Sequence, residues 1–252
     1  MVGPREYRRL REFNDSQTEL LDFGWFGLIS KGLLNSMNFL KRILGSYWAA
    51  IIVLTICIRG AMWPLQNRAT QTAKKMQALS PRIKELQEKF KDDPMRLQQE
   101  TSKLWKEYGI NPIGGCLPML VQIPIFFGFY NMLNKAVELR NDGFLWVHDL
   151  SQPDTIFMIP GLGIPFNPLP LCMAGTMLWQ MSLSPKTGDP MQQRIMMFMP
   201  LIFIVLCYNY ASALALYWTV QNLFSIVQLY ITRDKNAPQL QKIAAAPAPK
   251  KR

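Results

Sequence analysis

The chain has 252 residues, enough for one large domain or two small ones, and 49% of them are apolar, yet Lys and Arg outnumber Asp and Glu by 28 to 17. Charged residues make up 18% of the chain, against about 25% in an ordinary soluble domain, and the aromatic content of 12% excludes disorder for most of it. The four cysteines, each within an apolar run, together with a single histidine, argue against a common zinc cluster and against a disulfide framework.

Residues 26–44 have the periodicity of an amphipathic helix with a basic polar face. Trp25 and Trp48 flank this segment as aromatic residues flank helices at a membrane surface. We therefore predict an interfacial amphipathic helix. The alternative interpretation is a helix packed on a soluble domain. The apolar positions of the predicted face are Phe26, Ile29, Leu33, Met37, Leu40 and Leu44.

Long runs without charge follow. Residues 110–134, 155–185 and 195–232 contain no charged residue, and 43–67 contain only Arg59. A membrane-spanning helix needs about 20 apolar residues, so the last run is too long for one span and should break at the polar stretch 208–212. The predicted fold class is an all-α polytopic membrane protein. Its five-helix transmembrane core has spans at about 46–65, 112–134, 167–183, 194–209 and 212–232.

Segment 66–111 is predicted to form a helical hairpin, because apolar residues follow heptad spacing on both sides of Asp92, Asp93 and Pro94, which supply a turn and a helix cap. It carries ten Lys/Arg against six Asp/Glu, whereas segment 135–154 carries two against four. The positive-inside rule makes the hairpin cytoplasmic and the second segment external, so the N-terminus is external and the C-terminus cytoplasmic. A plain linker and an arm that meets a partner remain equally open as roles for the hairpin.

The tail at 234–252 is predicted to be disordered, basic and cytoplasmic. Its charge suits RNA, including ribosomal RNA, or anionic lipid. The alternative is that it is only the basic tail that membrane proteins commonly carry on the cytoplasmic side.

Arg59 is the one charge inside a predicted span, where an arginine costs about 2.5–3.5 kcal/mol on insertion scales. Since no predicted span contains an acidic residue, we expect a water-filled pocket that receives a transient anionic guest. Thr55 lies one turn earlier on the same face, and Gln122 is one of several polar residues of other spans. The alternative is that Arg59 snorkels to lipid headgroups.

Enzymatic chemistry has no specific support. His148 stands beside Asp149 without a nucleophile motif, and neither an HExxH motif nor a Gly-rich phosphate loop occurs. We therefore expect no enzyme activity, catalytic residue, metal or cofactor. A small-solute channel or transporter is the competing hypothesis, although no internal repeat and no intramembrane carboxylate favour it. A scaffold that docks to a translocon is a third.

Six separate motifs, in order, resemble those of the bacterial YidC membrane protein insertases, relatives of the mitochondrial oxidase-assembly and chloroplast Albino insertases. The resemblance extends from about Val2 to Arg233. The motifs are TICIRGAMWP at 55–64, NPIGGCLP at 111–118, QIPIF at 122–126, VELR at 137–140, WVHDL at 146–150 and DPMQQRIM at 189–196.

The resemblance implies a non-enzymatic insertase and chaperone of the bacterial inner membrane. A hydrophilic substrate-binding groove would contain Arg59, Thr55 and Gln122, and would attract the acidic segment of an incoming protein. A hydrophobic slide for the substrate's transmembrane segment would be formed by Phe126, Met173, Tyr217 and Trp218. The implied partners are nascent membrane proteins, the Sec translocon, the ribosome through the basic tail and the hairpin, and the lipid bilayer, with no small-molecule substrate.

Three further features are compared with the family. Residues 1–25 resemble the end of its large periplasmic domain, so a signal anchor and most of that domain are expected to be missing. The turn at 210–213 lacks the family's usual Pro and Gly, so the last two spans could be more continuous than in relatives. Residues 157–170 are longer and richer in proline than the usual external loop, and the sequence assigns them no role.

Overall fold

A computed structural model describes residues 27–135, 139–161, 163–185 and 190–232. The fold is the predicted all-α class, with one small sheet that was not predicted. The predicted periplasmic remnant at 1–25 and the basic tail at 234–252 lie outside the described residues. The elements are α1 (Gly27–Leu44), α2 (Tyr47–Ala61), α3 (Trp63–Lys89), α4 (Pro94–Glu107), α5 (Pro112–Lys135), β1 (Phe157–Met158), β2 (Pro165–Phe166), α6 (Pro168–Leu183), α7 (Pro190–Cys207) and α8 (Ser212–Ile231).

The described residues fall into two compact units. The first contains residues 27–61, 121–183 and 199–228, apart from those not described, and the second contains 62–120, 184–198 and 229–232. Every residue predicted for the groove and the slide lies in the first unit. Each unit has its own apolar core.

In the first unit, α1 packs directly on α5 at Gly128. The hydroxyl of Ser30 donates a 2.9 Å hydrogen bond to the carbonyl oxygen of Gly128, and a Cβ atom at Gly128 would lie 2.6 Å from Cγ2 of Ile29. The face of α1 toward the core contains Leu34 as well as the predicted Leu33 and Met37. Leu44, on the predicted face, is exposed, and so are Leu28, Phe39 and Ile43 on the opposite side of α1. The interfacial position of this helix stays a prediction.

The segment from residue 139 to Asn167 provides hydrogen-bond partners for three helix N-termini, whose first N–H groups have none within their own helices. The Asp142 carboxylate accepts from the backbone N–H of Tyr47 at 2.7 Å, and the Asp154 carboxylate accepts from that of Leu169 at 2.6 Å. Two backbone carbonyl groups of the same segment accept hydrogen bonds from the start of α8. The carbonyl oxygen of Leu150 accepts from the N–H of Ala213, and that of Gln152 accepts from the N–H of Ser212.

β1 and β2 form a two-stranded antiparallel hairpin in which Phe157 pairs with Phe166 and Met158 with Pro165. Its turn contains Gly161 and Gly163, both at positive φ (84° and 63°), a conformation that glycine adopts without strain. The predicted fold class contained no strands. Two-residue strands are too short to produce the alternating pattern by which a strand is recognised in a sequence.

In the second unit, α3 and α4 form a hairpin with a small apolar core. Its buried residues are Leu79 and Ile83 of α3, together with Tyr108 and Ile110, which follow α4. The Asp93 carboxylate accepts from the backbone N–H of Arg96 at 3.0 Å and Pro94 is the first residue of α4, so the cap that the sequence predicts is present. Lys74 donates a 2.8 Å hydrogen bond to the carbonyl oxygen of Thr232, just beyond α8.

Only one described helix, α8, is long and apolar enough on its own to cross a bilayer, and α2 with α3 supplies a second candidate if the two are counted as one span. The apolar part of α5, Leu117–Leu133, is shorter. The five spans predicted from charge therefore stay a prediction. The break predicted in the last apolar run is present, because α7 ends at Cys207 and α8 begins at Ser212.

Candidate functional site

Arg59 lies in the last turn of α2, and its side chain is half-buried. Its Nε atom is buried without a hydrogen-bond partner, and its guanidinium forms no ion pair with any residue that the structure describes. A buried polar atom without a partner costs about 1–3 kcal/mol, and more when the group is charged. The structure therefore contains an arginine whose hydrogen-bonding capacity the described protein leaves unused.

Tyr217 on α8 is a titratable side chain that lies near Arg59. The phenolic oxygen accepts a 2.9 Å hydrogen bond from Nε2 of Gln122 on α5. The ring of Tyr217 stacks on Phe129 with 4.1 Å between centroids and 17° between planes. Because the hydroxyl accepts from Gln122, its own proton remains available for another acceptor.

The structure thus brings Arg59, Gln122 and Tyr217 together, although the sequence analysis assigned Gln122 to the groove and Tyr217 to the slide. Thr55, also predicted for the groove, is buried one turn before Arg59. Its hydroxyl donates to the carbonyl oxygen of Ile51 in its own helix at 2.7 Å. Thr55 can therefore act toward a guest only as a hydrogen-bond acceptor while this bond is intact.

Two of the four predicted slide residues meet across helices. The rings of Phe126 on α5 and Trp218 on α8 lie 5.2 Å apart at 83°, an edge-to-face contact, and both side chains are half-buried. Met173 is fully buried in the core of the first unit, and Tyr217 is nearly so. In this conformation Phe126 and Trp218 are the predicted slide residues with exposed side-chain surface.

Three aromatic residues that the sequence analysis did not select extend the contact between Phe126 and Trp218. The ring centroids of Phe203 on α7 and Trp218 lie 4.6 Å apart. The ring of Tyr130 stacks on that of Phe126, with 6.2 Å between the centroids. The hydroxyl of Tyr130 donates a 3.1 Å hydrogen bond to that of Tyr210. The spacing of Phe126 and Tyr130, one helical turn apart, was the only local signal, since the other members come from distant parts of the chain.

The described ranges contain no other candidate catalytic or metal site. Within them, no group of three His, Cys, Asp or Glu side chains could hold a metal ion. Cys57, Cys172 and Cys207 are free thiols. His148 is exposed in the loop after α5. The expected absence of a cofactor stays a prediction.

Comparisons with known proteins agree with the resemblance seen in the motifs. A family model described as 60Kd inner membrane protein matches residues 39–239. The chain is 43% identical over 234 residues to the membrane protein insertase YidC of Syntrophobacter fumaroxidans, covering 91% of this chain and 42% of that protein. It is 38% identical over 232 residues to that of Helicobacter pylori strain 26695, covering 91% and 41%. The chain thus spans about two fifths of the length of these curated relatives.

A solved structure shows the same fold. It is described as an active YidC insertase crystal structure with the first transmembrane domain resolved. The match has a TM-score of 0.63 at 24% identity, and it covers 91% of this chain and 53% of the other. At this identity the likeness concerns the fold alone.

Proposed function

Because this chain belongs to the 60Kd inner membrane protein family, the family of the YidC insertases, we propose that it acts as a membrane protein insertase and chaperone. As a member of that family it is an inner membrane protein. Its substrates are hydrophilic segments of nascent membrane proteins, whose transmembrane segments it releases into the bilayer.

The observation that carries the proposal is the unpartnered arginine beside Tyr217. Arg59 has a buried Nε atom without a hydrogen-bond partner in the described chain, on a helix that is otherwise apolar over most of its length. A permanent positive charge in a partly buried site attracts an anion more strongly than it would in water. An acidic segment of an incoming protein supplies such an anion and accepts the hydrogen bonds that Arg59 can donate.

Tyr217 and Gln122 complete the binding group in this proposal. The hydroxyl of Tyr217, held by Gln122, can donate its proton to a carboxylate that also meets Arg59. A carboxylate that accepts hydrogen bonds from both Arg59 and Tyr217 binds more tightly than one that is held by charge alone. Thr55, the third proposed groove residue, lies one turn away on the Arg59 helix, where its buried hydroxyl donates to Ile51 and so offers no donor to a carboxylate.

The aromatic pair Phe126 and Trp218 supports the second half of the proposal. Their half-exposed rings offer an apolar surface along which the guest's transmembrane segment moves toward lipid, with Met173 and Tyr217 behind them. Burial of that segment in the bilayer releases about 25 cal/mol per Å² of apolar surface. Transfer to lipid therefore drives insertion without nucleotide hydrolysis, a cofactor or covalent chemistry.

We also propose the five-span arrangement with the N-terminus outside and the hairpin and tail in the cytoplasm, supported by the charge asymmetry of the loops. The ribosome is a proposed partner of the tail and the hairpin, and the basic charge of both segments supports this proposal. The protein acts alone or with the Sec translocon, as proposed from the family resemblance.

The test is insertion of a substrate with a short acidic external segment into proteoliposomes that contain the purified protein. We expect Arg59→Ala to lose most activity and Arg59→Lys to keep part of it, because lysine retains the charge but not the planar set of donors. Arg68→Ala is the matched control, since Arg68 is an exposed arginine on α3. Its activity should equal that of the unmodified chain.

The assay needs several substrates, because insertion of a substrate without acidic residues does not depend on the charge of Arg59. Full activity of Arg59→Ala with every acidic substrate would contradict the role of Arg59. Photocrosslinking from position 126 or 218 to a ribosome-held nascent chain tests the slide separately. Ion flux without any substrate polypeptide would instead favour a channel.

A further inference from the structure

The β1–β2 hairpin exposes apolar side chains that the proposed insertase site does not use. Phe157, Met158 and Ile164 are 51%, 60% and 46% exposed, and Ile156 just before β1 is 53% exposed. An exposed apolar patch of this kind commonly marks a contact with a membrane or another protein. The hairpin lies in the proline-rich segment to which the sequence assigns no role.

The surroundings of the hairpin favour lipid over a protein as its partner. Residues 155–185 contain no charged residue, whereas protein interfaces commonly have a polar rim and are enriched in arginine. The hairpin leads directly into α6, which exposes Leu171, Leu178 and Trp179 along its length. The exposed apolar surface is therefore continuous along the chain from the hairpin into a helix that we assign to the membrane.

Hydrogen bonds at its base hold the hairpin in position. The fully buried Asn167 donates a 2.7 Å hydrogen bond to the carbonyl oxygen of Tyr208 and accepts one of 2.7 Å from the hydroxyl of Thr155. The hydroxyl of Tyr208 donates to the carbonyl oxygen of Pro165 at 2.5 Å. The hairpin is thus tied to the turn after α7, and its exposed side chains are presented by a supported ribbon.

The backbone of the β1–β2 hairpin limits how deeply the hairpin can insert into a bilayer. The two strands pair with each other through bonds such as the 3.1 Å bond from Ile156 to Phe166 and the 2.9 Å bond from Ile159 to Ile164. The outer edges of a two-stranded ribbon nevertheless keep polar backbone groups that hydrocarbon cannot satisfy. Such a ribbon is stable at the level of the headgroups, where water and lipid carbonyl groups are available, and not at the centre of the bilayer.

From these observations we infer that the β1–β2 hairpin is a membrane-contact site whose apolar side chains insert shallowly into the lipid interface beside the N-terminal end of α6. The occupant of its exposed face is lipid. This inference rests on the membrane location proposed above and is independent of Arg59 and of insertase activity.

The experiment places an environment-sensitive fluorescent amino acid at position 158 in the whole chain, reconstituted into phosphatidylcholine vesicles without any other protein. The matched control carries the same probe at position 148, because His148 is exposed in the preceding loop beside Asp149. Quenching is measured with aqueous iodide, with nitroxide lipids labelled near the headgroup, and with nitroxide lipids labelled at the chain end. Circular dichroism shows that both variants are folded.

We expect iodide to quench the probe at position 158 several-fold less than the probe at position 148. Shallow nitroxides should quench position 158 more strongly than deep ones. Equal iodide quenching at the two positions would overturn the inference, and would be the result if a partner protein normally covers the hairpin. Protection from iodide without quenching by either nitroxide lipid would also overturn it, since the hairpin would then be covered by its own chain.

A second variant tests the apolar side chains themselves. With the probe at position 164, Met158→Asp should increase iodide quenching several-fold, because a carboxylate at the interface resists insertion. An unchanged iodide constant would count against the inference. The insertion assay on Arg59 is unaffected by either outcome, so failure of the membrane contact and failure of the insertase proposal are separately visible.

Discussion

The side-chain amide of Gln122 on α5 donates a 2.9 Å hydrogen bond to the phenolic oxygen of Tyr217 on α8. The same tyrosine ring stacks on Phe129, two turns further along α5. One side chain of α8 is thus held by its edge and by its face against a single neighbouring helix. Gln122 therefore fixes the position of a hydroxyl that lies near Arg59.

Replacing Tyr217 by phenylalanine removes the hydroxyl and keeps the ring stack. We expect Tyr217→Phe to lower the free energy of unfolding by about 0.6 kcal/mol, the average for an interhelical hydrogen bond in a membrane protein. We also expect slower insertion of substrates with acidic segments, because a donor near Arg59 is lost. Unfolding in detergent micelles and insertion into proteoliposomes measure the two effects.

The control for this variant is Thr176→Val. It removes a different interhelical hydrogen bond, the 3.1 Å bond from Asn222 on α8 to the hydroxyl of Thr176 on α6. It should cost a similar amount of stability and leave the preference for acidic substrates unchanged. If both variants slow insertion of acidic and neutral substrates equally, stability and not the hydroxyl of Tyr217 is responsible.

Asp154 is expected to stabilise the start of α6. Its buried carboxylate accepts from the backbone N–H of Leu169 at 2.6 Å and from the indole N–H of Trp146 at 3.3 Å. Asp154→Ala leaves both donors without this acceptor, and because the N–H of Leu169 is buried the loss should cost about 1–3 kcal/mol. Asp154→Asn retains an acceptor oxygen and should lose less stability than Asp154→Ala. Detergent unfolding monitored by helical circular dichroism would disprove this role if the two variants were equally stable.

Gly128 is required by the close approach of α1 and α5. A methyl group at Gly128 would meet Cγ2 of Ile29 at 2.6 Å, so Gly128→Ala should cost about 1–3 kcal/mol through overpacking and should weaken the bond from Ser30. Gly175→Ala on α6 meets no atom within 4 Å and should gain up to about 1 kcal/mol from helix propensity. Both are measured by unfolding in micelles, and equal stabilities would contradict the packing argument.

Asp93 is expected to hold the first turn of α4. Asp93→Ala removes the acceptor of the Arg96 N–H and should cost about 0.5–2 kcal/mol locally. Amide hydrogen exchange in residues 95–98 should become faster. Asp92→Ala is the neighbouring control, because Asp92 is exposed and does not cap the helix. Comparable exchange in both variants would mean that Pro94 alone sets the start of the helix.

Local chemistry was enough to predict most of the helices and to single out Arg59 as a candidate site residue. Charge-free runs indicated the helices near their observed bounds, the polar stretch at 208–212 indicated the break after Cys207, and Asp93 with Pro94 indicated the start of α4. Arg59 was identified because a lone charge in an apolar run is costly wherever the helix packs. These features depend on neighbours in the sequence, so the sequence by itself determined them.

The contacts between distant residues were decided only by the tertiary structure. Gln122 meets Tyr217, and Phe126 meets Trp218, across more than 90 residues of chain, and apolar helices offer several equivalent faces for such pairing. The burial of Met173 and the support of the β1–β2 hairpin by Tyr208 depend on the same packing. Periodicity and charge indicate the secondary structure that one segment prefers. Which side chains face each other is determined by close packing of the whole unit.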